Sequence, residues 1–225
     1  MNGGISYMAK TLAQRRRYIE LFFLIFFCVG FAGTVISASH DLFLRLFPAA
    51  LILSIAGIFM FHEQPVSIRD IVVFSMVVLS GFLIEVAGVN THLIFGEYTY
   101  GSTLGFKLFN TPLLIGLNWL MLTYVAASVA EKTSFPVPLK IIFASLLMVL
   151  YDVILEKIAP ALDMWSWKDN TVPFRNYAAW FITGLVFQAA LSFYGIKARN
   201  AIAWKIVVIQ LLFFTSLLIF YKLNV

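Results

Sequence analysis

The chain has 225 residues, 61% hydrophobic and 12% charged, with a mean hydropathy of +0.92. A water-soluble domain of this size has no use for so much apolar surface, so lipid is the solvent for most side chains. The net charge of +5 comes with no basic stripe interleaved with aromatics, so nucleic acid is excluded as a partner; Lys and Arg instead flank apolar runs. The lone Cys28 can form no internal disulfide, and no Cys/His cluster has metal-ligand spacing. Neither a metal nor another cofactor is expected.

In chain order, a basic segment (1–17) precedes apolar runs at about 18–38, 43–61, 69–90, 111–130, 139–158, 177–195 and 203–222. Each is about 17–23 residues long, enough to cross a bilayer at 1.5 Å per residue. The expected fold is an all-α integral membrane bundle of about seven transmembrane helices, forming one domain (1–225) with the bundle over 18–222. Breaks fall at SASHD (37–41), FHEQP (61–65), EKTSFPVP (131–138) and GIKARN (195–200). The second run is short, with Arg45 and Pro48 near its start. Arg15-Arg16-Arg17, an apolar run and then Ser37 and Ser39 resemble a signal peptide, but the run exceeds a usual signal core, so a retained first span is expected.

Cation placement sets an orientation. Lys10, Arg15, Arg16, Arg17, Arg69, Lys132, Lys140, Lys197, Arg199 and Lys205 fall on one side. Arg45, Lys107, Lys157, Lys168, Arg175 and Lys222 fall on the other. The positive-inside rule then places the N-terminus in the cytoplasm and the C-terminus outside. The long connections 91–110 and 159–176 share the outer side. They are rich in Gly, Tyr, Trp, Asn and Asp, the composition of ordered functional loops.

Polar residues inside the spans converge near that outer boundary. Glu85, Asn118, Asp152, Glu156, Asn176 and Tyr177 all fall within about 10 Å of it if the spans alternate in direction. Asp152 and Glu156 are spaced i,i+4 and share a helix face. Two such neighbours in a low-dielectric site resist ionising together, so one is expected to hold a proton. An intramembrane acid is a functional candidate by default. The plainer alternatives are that Glu156 is interfacial and paired with Lys157 or Lys107, and that Glu85 is a structural group bonded to another helix. Glu97 reads as a solvated loop acid, and no ligand role is expected for His40 or His92. Trp119, Trp165, Trp167, Trp180 and Trp204 suit an interfacial belt, although Trp119 and the WSW of 165–167 flank the proposed pocket.

The stretch EVAGVNTHLIFGEYTYGSTLGFKLFNTPLLIGLNW (85–119), with YDVILEKIAP (151–160), WSW (165–167) and NYAAWF (176–181), resembles a membrane family of carotenoid biosynthesis. That family includes hydratases acting on open ψ-end groups, of the bisanhydrobacterioruberin and γ-carotene or lycopene type. The resemblance covers about 80–195. It implies a lipophilic carotenoid substrate, a bacterial or archaeal cytoplasmic membrane, surrounding lipid, and association with other enzymes of the pathway. The implied reaction adds water across the terminal double bond through a tertiary carbocation. Such chemistry needs a protonated carboxyl, a base to take a proton from water, and aromatic faces to hold the cation. Asp152 is the expected acid, with Glu156 or Glu85 as base. Asn90, Asn118 and Asn176 would hold water. Tyr98, Tyr100, Trp119, Trp165, Trp167 and Trp180 would wall the cation, and Tyr177 lies beside them. A cyclase or isomerase starting from the same protonation, and a proton-coupled transporter, are the competing readings. A retinal protein is not, because residues 206–221 contain no lysine.

Overall fold

The computed structural model describes residues 2–224, with side chains described from 15 to 223; the Lys10 side chain assigned to the inner cluster lies outside that range. The helices are α1 (Asn2–Val35), α2 (His40–Arg45), α3 (Phe47–Met60), α4 (Ile68–Thr91), α5 (Leu114–Ala130), α6 (Val137–Ile158), α7 (Phe174–Phe193) and α8 (Ala203–Asn224). Four short strands complete it: β1 (Tyr98–Tyr100), β2 (Lys107–Leu108), β3 (Thr111–Pro112) and β4 (Trp165–Trp167).

Local chemistry sets the boundaries. The expected second span breaks at Leu46, because Pro48 fits only the first turn of a helix and starts α3 afresh. Ser67 caps α4 through a reciprocal capping box with Asp70, and His92 closes it in the left-handed conformation. Pro136 and Pro173, both extended, precede α6 and α7. Residues 111–112, expected in the fourth span, instead pair with 107–108 as β3 and β2.

The long helices alternate between two ends. At one end Glu20 of α1 accepts from Lys205 Nζ at 2.7 Å, His62 and Asn200 form a β-bridge, and Lys132 sits over Trp204 at 5.7 Å. At the other, β1 pairs antiparallel with β4, joining the α4–α5 and α6–α7 connections. The two long loops therefore share one side, as expected from alternating spans.

Among the described residues, four helical segments are long and apolar enough to cross a membrane: Arg15–Val35, Ile68–Thr91, Val137–Ile158 and Ala203–Leu223. The other expected spans fall short of that standard. At 1.5 Å per residue, the 14 residues of α3 and 17 of α5 reach only about 21 and 26 Å against a hydrocarbon core of about 30 Å. α7 lies outside the set too, with Asn176 and Gln188 in its sequence. α5 is instead the most enclosed helix, with Trp119 through Ala126 all buried. Lipid gives no hydrophobic drive between helices, so close backbone approach matters. A Cβ on Gly116 would stand 2.5 Å from the Val78 carbonyl, and one on Gly81 would stand 2.7 Å from Trp119 Cβ. These two glycines bring α4 and α5 into contact directly below the acids.

Candidate active site

The site is built from two directions. From the bundle, α4 contributes Glu85 on the buried face that also carries Gly81 and Gly88. One face of α6 carries Asp152 and Glu156, and Asn176 lies in the first turn of α7. From above, β1 and β4 form a lid. Side chains alternate across a strand, so Thr99 and Ser166 face out while Tyr98, Tyr100, Trp165 and Trp167 face in. All four inward side chains are aromatic with a polar hydrogen, and all four donate to a buried acid.

Glu85 is 3% exposed and accepts three hydrogen bonds. Tyr98 and Tyr100 hydroxyls donate to Oε2 at 2.6 and 2.8 Å, and the Trp119 indole donates to Oε1 at 3.0 Å. Glu156 also accepts three. Trp165 and Trp167 donate to Oε2 at 3.0 and 2.5 Å, and Asn176 Nδ2 donates to Oε1 at 3.2 Å. Among the described residues, Asp152, 1% exposed, accepts only from Asn176, on Oδ2 at 2.8 Å. Every side chain bonded to Glu85 and Glu156 is a donor, so both carboxyls serve there as acceptors. Asp152 keeps an oxygen with no partner among the described residues.

Outside the helices, burial pushes the phenols of Tyr98 and Tyr100 up, and the charge of Glu85 pushes them further. Both therefore stay protonated donors. The lid is pinned at its far end. Asp163 Oδ2 accepts from the Ser102 backbone at 2.7 Å and from its hydroxyl at 2.6 Å, which holds the Asp163 carboxyl below its usual range. Lys107 Nζ donates to the Tyr100 carbonyl at 2.5 Å.

A hollow of about 20 Å³ lies among these groups, room for about one water molecule. Glu85, Asp152, Glu156, Asn118, Asn176, Tyr98, Tyr100, Trp165, Trp167 and Trp180 line it. Trp119 stands behind, stacked on Trp180 at 4.0 Å. Two expected members are elsewhere. Asn90 is exposed at the end of α4, where it donates to the Val86 and Phe109 carbonyls and accepts from Asn110. Tyr177, one residue past Asn176, is half-buried off the hollow. Glu156 pairs with neither Lys157 nor Lys107, and Glu97 makes an exposed ion pair with Lys168 at 2.8 Å. Sequence reasoning missed Phe95, Ile115 and Leu155 in the wall. No polar signal marks them, and only their packing beneath the lid places them there.

The family model described as "carotenoid biosynthesis protein" matches residues 46–224, which contain every residue of the site. Over 138 residues the chain is 27% identical to the bisanhydrobacterioruberin hydratase of Haloarcula japonica. That stretch is 54% of this chain and 45% of the relative, so the match spans less than half of the relative's length. No solved structure matches the chain.

Proposed function

The chain belongs to the carotenoid biosynthesis protein family, and from that premise we propose that it is a carotenoid hydratase. It adds water across the terminal carbon–carbon double bond of an acyclic ψ-end group, of the lycopene or γ-carotene kind, to give a tertiary alcohol. The observation that carries this reading is the unequal treatment of three buried acids around a one-water hollow. Two are matched by three donors each, and the third keeps a spare oxygen.

Asp152 is the acid. Its proton passes to the terminal alkene, the π electrons form the new C–H bond, and a tertiary cation remains at the adjacent carbon. Trp165, Trp167, Trp180, Tyr98 and Tyr100 hold that cation by their faces, worth about 2 kcal/mol or more for a desolvated cation–π contact. The water attacks the cation through an oxygen lone pair and loses a proton to a carboxylate. Glu156, one turn from Asp152 and joined to it through Asn176, is the nearer base. Return of that proton to Asp152 closes the cycle. Asn118 and Asn176 orient the water.

A seven-pass topology with the N-terminus in the cytoplasm belongs to this reading. It sets the lid and the hollow at the outer boundary, where water is at hand, while the polyene stays in the bilayer.

The test is expression in a lycopene-producing host with mass analysis of the pigments. The mass of one added water per reacted end is the expected product. Asp152→Asn should lower its yield by ~10²–10⁴-fold, the usual contribution of a general acid. A product of unchanged mass would replace hydration with end-group cyclisation.

A further inference from the structure

A second cavity, of about 410 Å³, lies between α1, α2, α3, α5 and α8. It shares Ile115, Asn118, Leu155 and Trp165 with the hollow beside the acids, so the two spaces adjoin. No charged side chain among the described residues lines it, and phenylalanines from four helices dominate its wall: Phe26, Phe27, Phe43, Phe47, Phe213 and Phe214. Two of its polar side chains are already engaged. Thr34 donates to the Gly30 carbonyl at 2.7 Å, and Gln210 donates to Ser54 at 2.9 Å. Asn118, at the junction, makes no side-chain hydrogen bond to another described residue. On the rim, Val29 of α1, Leu46, and Ala49 and Leu53 of α3 are exposed, so the mouth opens on the apolar flank of the bundle.

We propose that this cavity is the channel for one terminal segment of a linear isoprenoid polyene, entered sideways from the bilayer between α1 and α3. The occupant rests on the hydratase reading above. Position, volume and ligand rigidity support it. The channel meets the hollow at Asn118, whose free amide stands where an apolar tip would meet a water. Its volume sits at the low end of the ~300–1,000 Å³ range for small-ligand pockets, too small for a whole carotenoid, so the rest of the rod stays in lipid. Lipid tails are as apolar as this wall, so a ligand gains little by leaving them for it. A rigid conjugated rod loses less freedom on entering than a flexible acyl chain does. Only the reacting end is read, and the far end is left unread.

The test uses the full chain in nanodiscs, titrated with lycopene and followed by the circular dichroism that an achiral polyene acquires in its visible band on binding. Wild type and Asp152→Asn should both bind, the latter without turnover. Gly30→Leu fills the channel from a position where a Cβ makes an ordinary 3.5 Å contact with Phe213, and Ala49→Trp blocks the exposed rim without entering the core. Each should weaken binding ~tenfold or more, about 1.4 kcal/mol. Leu83→Trp, on the exposed flank of α4, should bind as wild type. A carotenoid with one open end and one ring should bind like lycopene, and one ringed at both ends should not.

Wild-type binding by both Gly30→Leu and Ala49→Trp overturns the proposal. So does a wild-type protein that shows no induced signal and retains a phospholipid acyl chain instead. Binding with the expected variant pattern but no water-added product supports the channel and rejects the hydratase reading.

Discussion

Tyr98 and Trp167 stand opposite one another across the β1–β4 pair, rings 4.9 Å apart, yet they donate to different acids, Tyr98 to Glu85 and Trp167 to Glu156. The α4–α5 and α6–α7 connections thus act as one lid whose strand register assigns a donor to each carboxylate. Removing either donor leaves a buried acid short of a partner. Trp167→Phe should cost about 1.5–3 kcal/mol, the range for a hydrogen bond to a charged group, seen as a lower Tm in detergent. It should also depress product yield more than Trp204→Phe, since Trp204 lies at the other end of the bundle.

The acids should differ in what they do for stability. Replacing Glu85 by Leu strands the Tyr98, Tyr100 and Trp119 donors. Each stranded group costs about 1–3 kcal/mol before relaxation, so the variant should melt far below wild type or fail to fold. Asp152→Asn is isosteric and disturbs one hydrogen bond. Its Tm should stay within the shift expected for about 1 kcal/mol. Comparable melting of the two variants would contradict the unequal bonding of the two acids.

Gly81 underlies the Trp119–Trp180 stack. In Gly81→Ala the new Cβ would stand 2.7–2.9 Å from Trp119 Cβ, Cγ and Cδ1. The indole must shift, which moves its N–H off Glu85. Overpacking of this kind costs about 1–3 kcal/mol. Product yield should fall although no polar group is removed, and Gly30→Ala, with an ordinary contact, should be neutral in stability.

Acid should loosen the lid through Asp163. Its carboxyl is held below the usual ~3.9 by Ser102. The contribution is therefore complete above that pH and is lost as pH falls through the lower folded value. Tryptophan fluorescence between pH 5 and 2 should report an exposure step for Trp165 and Trp167. Asp163→Asn should remove that step. Asn tolerates the left-handed backbone at this position, φ 49°, so the variant isolates the charge.

Orientation can be read with one thiol. In a Cys28→Ser background, Ser166→Cys lies on the exposed face of the lid. It should react with an impermeant maleimide added outside intact cells, whereas Thr133→Cys in the α5–α6 turn should react only after lysis. The reverse pattern would invert the topology.

The membrane character, the sites of most helices and the three acids were legible along the chain, because apolar run length and a carboxylate within such a run are local properties. The i,i+4 spacing of Asp152 and Glu156 is likewise local, and α6 presents both on one face. The family resemblance was legible too, from short blocks in a set order. Tertiary structure decided the rest. Whether a tryptophan anchors in the interface or donates to an acid depends on which strand pairs with which: Trp165 and Trp167 became donors because β4 lies antiparallel to β1. Asn90 and Tyr177 left the site because a one-residue step turns a helical side chain by about 100°, a choice set by neighbouring helices. The apolar channel left no mark in the chain, since α1, α3 and α8 bring its walls together from residues some 190 positions apart. Hydropathy scores a phenylalanine facing lipid and one facing a cavity alike, and only packing separates them.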